Sequence, residues 1–181
     1  MEIHSTFTWL MKWGEYSMNI RPINLDQDGP WEQIHQHILA SYMKFAKCNE
    51  LQSHSIFPSL QKLSSSTLRK KDSSLLLATI RTEEGERIAG FAITTNYGHD
   101  ISLIVVHPLY RNLGIGMQLL SRQLKELGTL YYYVPIYNKA AIKMCFNAGF
   151  IATQMVSFSK RHALLIMKGS VSNYKTASTL H

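Results

Sequence analysis

The stretch from Ile101 to Gly116, ISLIVVHPLYRNLGIG, constrains the fold of this chain more than any other, because an apolar run breaks at Pro108 and gives way to Arg111, Gly114 and Gly116. Ile101 to Val106 is rich in β-branched residues, which predicts a strand, and Pro108 ends it because it has no N–H to give to a ladder. From Gly114 onward Ile115, Leu119, Leu120, Leu124 and Leu127 recur as one apolar face, which predicts a helix stopped at Gly128. Strand, tight turn and helix start therefore follow one another. The successive N–H groups of such a turn open a helix N-terminus and suit an anionic group such as a pyrophosphate, with Arg111 adding a fixed positive charge.

Around this unit the chain reads as alternating elements. Met18 to Pro22 predicts a first strand, and Asp28-Gly29-Pro30 a turn into a helix whose face is Trp31, Ile34, Ile38, Tyr42 and Phe45. Residues 46 to 57 have no firm assignment. A weaker helix is predicted from Pro58 to Leu68, with Pro58 in its first turn, followed by a Ser-rich basic loop to Ser74. Leu75 to Arg81 and Arg87 to Thr95 form a hairpin, and Asn96 to His99 turns the chain into the strand at Ile101. Leu130 to Val134 is a short strand, expected to pair parallel to the central one because a crossover helix separates them. Asn138 caps a helix that Gly149 stops, and Phe150 to Phe158 and Ala163 to Met167 are the last strands. The order β-α-α-β-β-β-α-β-α-β-β predicts a mixed α/β domain with one mostly antiparallel sheet and helices on both faces. Residues 1–17 read as an extension, 18–168 as a single domain and 169–181 as a tail.

Composition narrows the function classes. A chain of 181 residues that is 45% apolar supports one core. No apolar run approaches the ~20 residues of a membrane span, and the N-terminus lacks a continuous apolar signal region, so no membrane association and a soluble, cytoplasmic protein are expected. Cys48 and Cys145 lie too far apart to suggest a disulfide framework. His35 and His37 fall on different sides of a helix, and no metal site is expected. The net charge of +7 favours anionic partners. Its basic residues are scattered apart from Arg69-Lys70-Lys71, so a nucleic-acid partner is not expected, and a homodimer stays open.

Arg111-Asn112-Leu113-Gly114-Ile115-Gly116, preceded by Val106-His107-Pro108 and Tyr110, resembles the R/Q-x-x-G-x-G/A signature of the GNAT superfamily of acetyl-CoA-dependent N-acetyltransferases. Asn138-x-x-Ala141, with Met144, Gly149 and Phe150, is similar to a second segment of that superfamily, at the expected separation. A Rossmann reading fits worse, since the third glycine and the acidic residue after the next strand are missing, and a Walker loop lacks its Gly-Lys-Ser/Thr ending.

The resemblance implies acetyl-CoA as cosubstrate, an amine-bearing small molecule or peptide as acceptor, and transfer within one ternary complex. It also implies that the central and following strands splay apart and leave a gap for the pantetheine arm. Backbone groups of Ile104, Val105 and Val106 would hold that arm and the thioester carbonyl, with an N–H there stabilising an oxyanion. The backbone of Arg111, Asn112, Leu113, Gly114, Ile115 and Gly116 would hold the pyrophosphate, with Asn138 and Ala141 reaching the cosubstrate from the next helix. Asp100 is the candidate base, with His99 as substitute or relay, although both are also ordinary turn residues. The superfamily's acidic tyrosine falls on Cys145 here. That leaves three readings besides simple packing: a thiol donor, a nearby phenol such as Tyr137, or no acid at all. Tyr131-Tyr132-Tyr133 reads as aromatic core, with one face as an alternative border of the acceptor cleft.

Overall fold

In the computed structural model, which describes residues 17–45, 50–159 and 162–171, the elements follow the predicted order. β1 (Ser17–Pro22), β2 (Ser74–Thr82), β3 (Gly85–Thr95) and β4 (Ile101–Val106) form one antiparallel sheet in that order. β5 (Thr129–Pro135) and β6 (Ile151–Ser159) flank β7 (His162–Ser170) in a second antiparallel sheet. Helices α1 (Trp31–Phe45), α2 (Glu50–Gln61) and α3 (Ser65–Leu68) lie between β1 and β2 in sequence. α4 (Ile115–Leu127) connects the two sheets, and α5 (Lys139–Asn147) joins β5 to β6. The proposed extension up to residue 16, Cys48 and the tail from residue 172 lie outside the described residues. No helix among the described residues is long and apolar enough to cross a membrane.

The parallel pairing expected between the central strand and the short strand after it is not made. No ladder joins β4 to β5, so the predicted single sheet is two. They are fastened instead at the start of β4. The turn Asn96–Gly98 lies so close to β5 that a Cβ at Gly98 would stand 2.0 Å from the Tyr131 carbonyl oxygen, and the backbone there has φ of +99°. On the other side, the buried Tyr132 hydroxyl donates to Gln123 Oε1 at 3.2 Å, and Gln123 Nε2 donates to the Ser74 carbonyl at 3.4 Å. A helix and side chains thus do the joining that main-chain bonds do elsewhere.

Period-two alternation along β4 explains the layering. Ile101 and Val105 enter a core under α1 and α2 with Ile38, Tyr42, Leu60, Phe91 and Ile93. Ile104 points the other way and packs between the core of α4 on the first sheet, with Leu76, Ala92 and Leu119, and the core of the second sheet, with Leu124, Tyr132 and Phe150. Helices therefore cover both faces, as predicted.

Among the boundaries that differ from the sequence reading, three have a plain physical cause. Pro58 sits inside α2 instead of opening a helix, because Ile56, Phe57 and Leu60 all pack on the core under α1 and carry the helix past the missing N–H. Ser64 then caps the short α3 by accepting from the Thr67 N–H. β7 runs to Ser170, two residues past the expected end of the domain, because Gly169 and Ser170 pair with Leu130 and Thr129.

Candidate functional site

The gap in the ladder between the sheets leaves one edge of β4 without a strand partner among the described residues, and the ladder on its other side decides which groups face it. His107 N–H donates to the Ala89 carbonyl at 2.8 Å, in register with Val105 opposite Phe91. In an antiparallel pair, bonded and non-bonded residues alternate, so Val105 directs its N–H and C=O to β3, while Ile104 and Val106 direct theirs into the gap. This corrects the expectation for Val105: its backbone is engaged with Phe91 and its side chain lies in the core.

The turn after β4 has the geometry of an anion cradle. Asn112 and Gly114 both adopt left-handed backbone, with φ of 64° and 75°, and α4 starts at Ile115 without a side-chain cap. Among the described residues, no acceptor takes the N–H groups of Asn112, Leu113, Gly114, Ile115, Gly116 or Met117, and the first bond is Gln118 N–H to the Gly114 carbonyl at 3.0 Å. Alternation of left- and right-handed residues at a helix N-terminus points such groups at one concave spot. Arg111 is placed differently from the expectation. Its N–H belongs to the preceding 3₁₀ turn, donating to the Pro108 carbonyl at 3.4 Å, and its guanidinium bonds carbonyl oxygens of Val106 and Phe45.

Both motifs meet at Gly116. A Cβ there would stand 2.9 Å from Met144 Sδ and 3.8 Å from Cγ2 of both Ile104 and Val106, so the glycine lets α4, α5 and the open edge of β4 converge. Asn138 caps α5, its Oδ1 accepting from the Ala141 N–H at 3.1 Å, which leaves its amide NH₂ as the group able to reach outward. Ala141 packs partly buried on the core of the second sheet. An open strand edge, a run of unpaired N–H groups and a capping amide fit a long molecule that is amide-bearing at one end and phosphorylated at the other.

At the entry of β4 the structure assembles a group that sequence reasoning only partly found. His99 Nδ1 lies 3.0 Å from the Tyr133 hydroxyl, and its ring packs at a tilt of 33° against Tyr131 with centroids 4.3 Å apart. Lys168 Nζ stands 5.5 Å from the centroid of the Tyr131 ring. Tyr131 and Tyr133 are half-buried on the face of β5 opposite Tyr132, so alternation, the signal available in the sequence, separates the three tyrosines correctly, and only the middle one is core. Asp100 is exposed and accepts from Asn96 Nδ2 at 3.1 Å. At ~3.3 Å per residue, its Cα stands roughly 13 Å along the strand from Ile104 and roughly 20 Å from Val106, too far for direct contact with a group held there. Among the described residues, no three His, Cys, Asp or Glu side chains gather where they could hold a metal.

Cys145, read as a thiol donor or as simple packing, is fully enclosed in the core of the second sheet, and burial pushes its thiol up to about 12. A side chain two atoms long, in place of a longer phenol, stays in the core. Cys145→Ala is expected to cost about 1–2 kcal/mol of stability through lost packing. Because the folded thiol titrates above its ordinary value of 9.0, its contribution is complete below that pH and is lost as pH rises towards 12. Urea midpoints near pH 8 and about pH 10.5 check this: the gap between wild type and Cys145→Ala narrows at the higher pH.

The sequence profile of the acetyltransferase (GNAT) family matches residues 31–150. No curated protein matches the chain in sequence. Among solved structures, the chain resembles a spermidine N-acetyltransferase SpeG chimera from Vibrio cholerae and hSSAT, at 15% identity and TM-score 0.61, covering 87% of this chain and 98% of that one. It resembles the ribosomal-protein-S18-alanine N-acetyltransferase from Escherichia coli at 20% identity and TM-score 0.55, covering 85% and 94%. It also resembles yncA from Salmonella typhimurium, solved with its cofactor acetyl-CoA, at 18% identity and TM-score 0.52, covering 86% and 94%. At these identities the structures speak for the fold, while the profile spans most of the chain and both motifs of the site. The chain belongs to the GNAT acetyltransferase family.

Proposed function

We propose that this chain transfers an acetyl group from acetyl-CoA to a primary amine by direct attack, with both substrates held at once. The observation that carries the reading is the open edge of β4, where Ile104 and Val106 face the gap without ladder partners, next to the turn of unpaired N–H groups. When bound, acetyl-CoA supplies an activated acyl carbon and a thiolate leaving group. The N–H and C=O groups along that edge hold the pantetheine amides as a neighbouring strand would, and an N–H at Ile104 or Val106 meets the negative charge that develops on the acyl oxygen. The turn from Asn112 to Gly116 holds the pyrophosphate, assisted by the Asn138 amide.

An alkylamine, with an ordinary pKa near ~10.4, arrives protonated and must lose a proton before it attacks. Asp100 and the His99–Tyr133 pair stand on the acceptor side for this task, acting through water across the length of strand that separates them from Ile104. Cys145 gives no proton in this scheme, and the coenzyme thiol, near ~8.5 by analogy with cysteine, leaves as thiolate without an acid. The buried free thiol of Cys145 suits a reducing, cytoplasmic setting.

A second reading, a non-catalytic acyl-CoA-binding module, is favoured by the enclosure of Cys145, which takes away the superfamily's usual donor position. Isothermal titration with acetyl-CoA, followed by release of free coenzyme A with spermidine, lysine, tyramine and a peptide with a free N-terminus, separates the two. Binding with amine-dependent release is expected. Binding without release leaves the module, and folded protein that does not bind acetyl-CoA overturns both. In the same assay, loss of rate near neutral pH with recovery at high pH in Asp100→Asn or His99→Asn identifies the base.

A further inference from the structure

We infer that Arg111 is a positioning residue of the acyl-binding strand and not a ligand of the phosphates. The inference rests on the proposed acetyl-CoA site and assigns a task within it. The half-buried guanidinium donates through Nε to the Val106 carbonyl at 3.2 Å and through Nη2 to the Phe45 carbonyl at 2.5 Å. Phe45 closes α1, where carbonyls of the last turn have no partner inside the helix and a cation is electrostatically favoured.

The Val106 carbonyl shares its peptide plane with the His107 N–H, which is bonded to Ala89 at 2.8 Å. That plane is therefore pinned at both ends, by β3 on one side and by Arg111 on the other. The neighbouring peptide carries the Val106 N–H into the gap, so its direction is fixed by the same pair of bonds. Without Arg111, the last gap-facing carbonyl of β4 loses its partner and the end of the strand is held from one side only.

The turn that leads into Arg111 is itself fixed against the end of α1. The His107 ring packs against Phe45 with centroids 4.4 Å apart and against Tyr110 at 5.3 Å, and its Nδ1 accepts from the Leu109 N–H at 3.2 Å. Burial, with the nearby Lys44 and Arg111 charges, holds His107 below the ordinary histidine range, which keeps that nitrogen an acceptor. The cradle from Asn112 to Met117 is meanwhile built from main-chain N–H groups alone. A planar fork that reaches two carbonyls at once is a task for arginine, and lysine, with one point of charge, does not replace it.

Two partial ligands separate the roles. ADP carries a pyrophosphate and no acyl arm, and S-acetylpantetheine carries the acyl arm and no pyrophosphate. Affinities of wild type, Arg111→Ala and Arg111→Lys are measured for both and for acetyl-CoA, by titration calorimetry or ligand-observed NMR, with circular dichroism to check folding. Arg111→Ala is expected to weaken S-acetylpantetheine and acetyl-CoA by roughly tenfold each and to leave ADP within about twofold, with Arg111→Lys failing to restore the loss. Should Arg111→Ala not fold, the same pattern is required of Arg111→Lys. Weakening of ADP and acetyl-CoA with S-acetylpantetheine unchanged makes Arg111 a phosphate ligand and overturns the inference. Equal weakening of all three, no change in any, or failure of both variants to fold overturns it too. Wild-type protein that binds none of the three refutes the acetyl-CoA site itself, a result distinct from any of these.

Discussion

Gly114→Asp is expected to weaken acetyl-CoA binding on the order of 100-fold without unfolding the protein. Gly114 has left-handed backbone, which aspartate and asparagine tolerate better than other side chains, and the nearest atom to an added Cβ is Gln118 Nε2 at 3.9 Å. Space and conformation are therefore available, and what changes is charge. A carboxylate set among N–H groups that face a pyrophosphate meets like charge at about 5 Å, worth roughly 3 kcal/mol at an effective dielectric near 20. Gly114→Asn carries the same shape without the charge and is expected to stay within a few-fold of wild type. Titration calorimetry at low and high salt checks the pair, because an electrostatic loss shrinks as salt screens it. Equal loss in both variants would falsify the assignment of the turn as an anion cradle.

Gly98→Ala is expected to cost more than about 3 kcal/mol of stability, through strain at positive φ and overlap with backbone. The added carbon would lie 2.0 Å from the Tyr131 carbonyl oxygen and 2.9 Å from its carbon, and main chain cannot swing aside as the end of a side chain can. Gly128→Ala supplies the comparison, since Gly128 also has positive φ, at 76°, but nothing lies within 4 Å of its Cβ position. That substitution measures backbone strain without overlap, about 1–3 kcal/mol. Urea unfolding of the two variants gives the difference as the worth of close approach between the sheets. Equal destabilisation would show that the turn at Gly98 retreats from β5 at little cost.

Most of the element order was legible because it rests on local chemistry. Gly128 and Gly149 end helices with φ of 76° and 79°, Asn138 caps α5, and the apolar face of α4 follows its period. The two motifs could be read as partners, and they meet at Gly116. What stayed hidden depends on which edge pairs with which. The absence of a ladder between β4 and β5 has no local signal, and without the register of β3 nothing separates Val105 from Ile104 and Val106. Arg111 was read by its charge, whereas its position is set by carbonyls of Phe45 and Val106, the first of them far away in sequence. Cys145 and Pro58 were likewise decided by tertiary packing, which encloses the first and carries a helix through the second.

The divide between the sheets also bears on how the protein persists when its cosubstrate is scarce. In the proposed site, a ligand lying along β4 would stand where a neighbouring strand pairs in an ordinary sheet, and its binding energy would become part of the energy that keeps the two sheets together. Any ligand that prefers the folded chain stabilises it by mass action, by about 2.7 kcal/mol at a concentration 100 times its dissociation constant. For an ordinary domain of marginal stability that is a large share of the total. The amount of folded enzyme would then follow the supply of acyl donor, so that the metabolic state of the cell is written into the protein's lifetime as well as its rate.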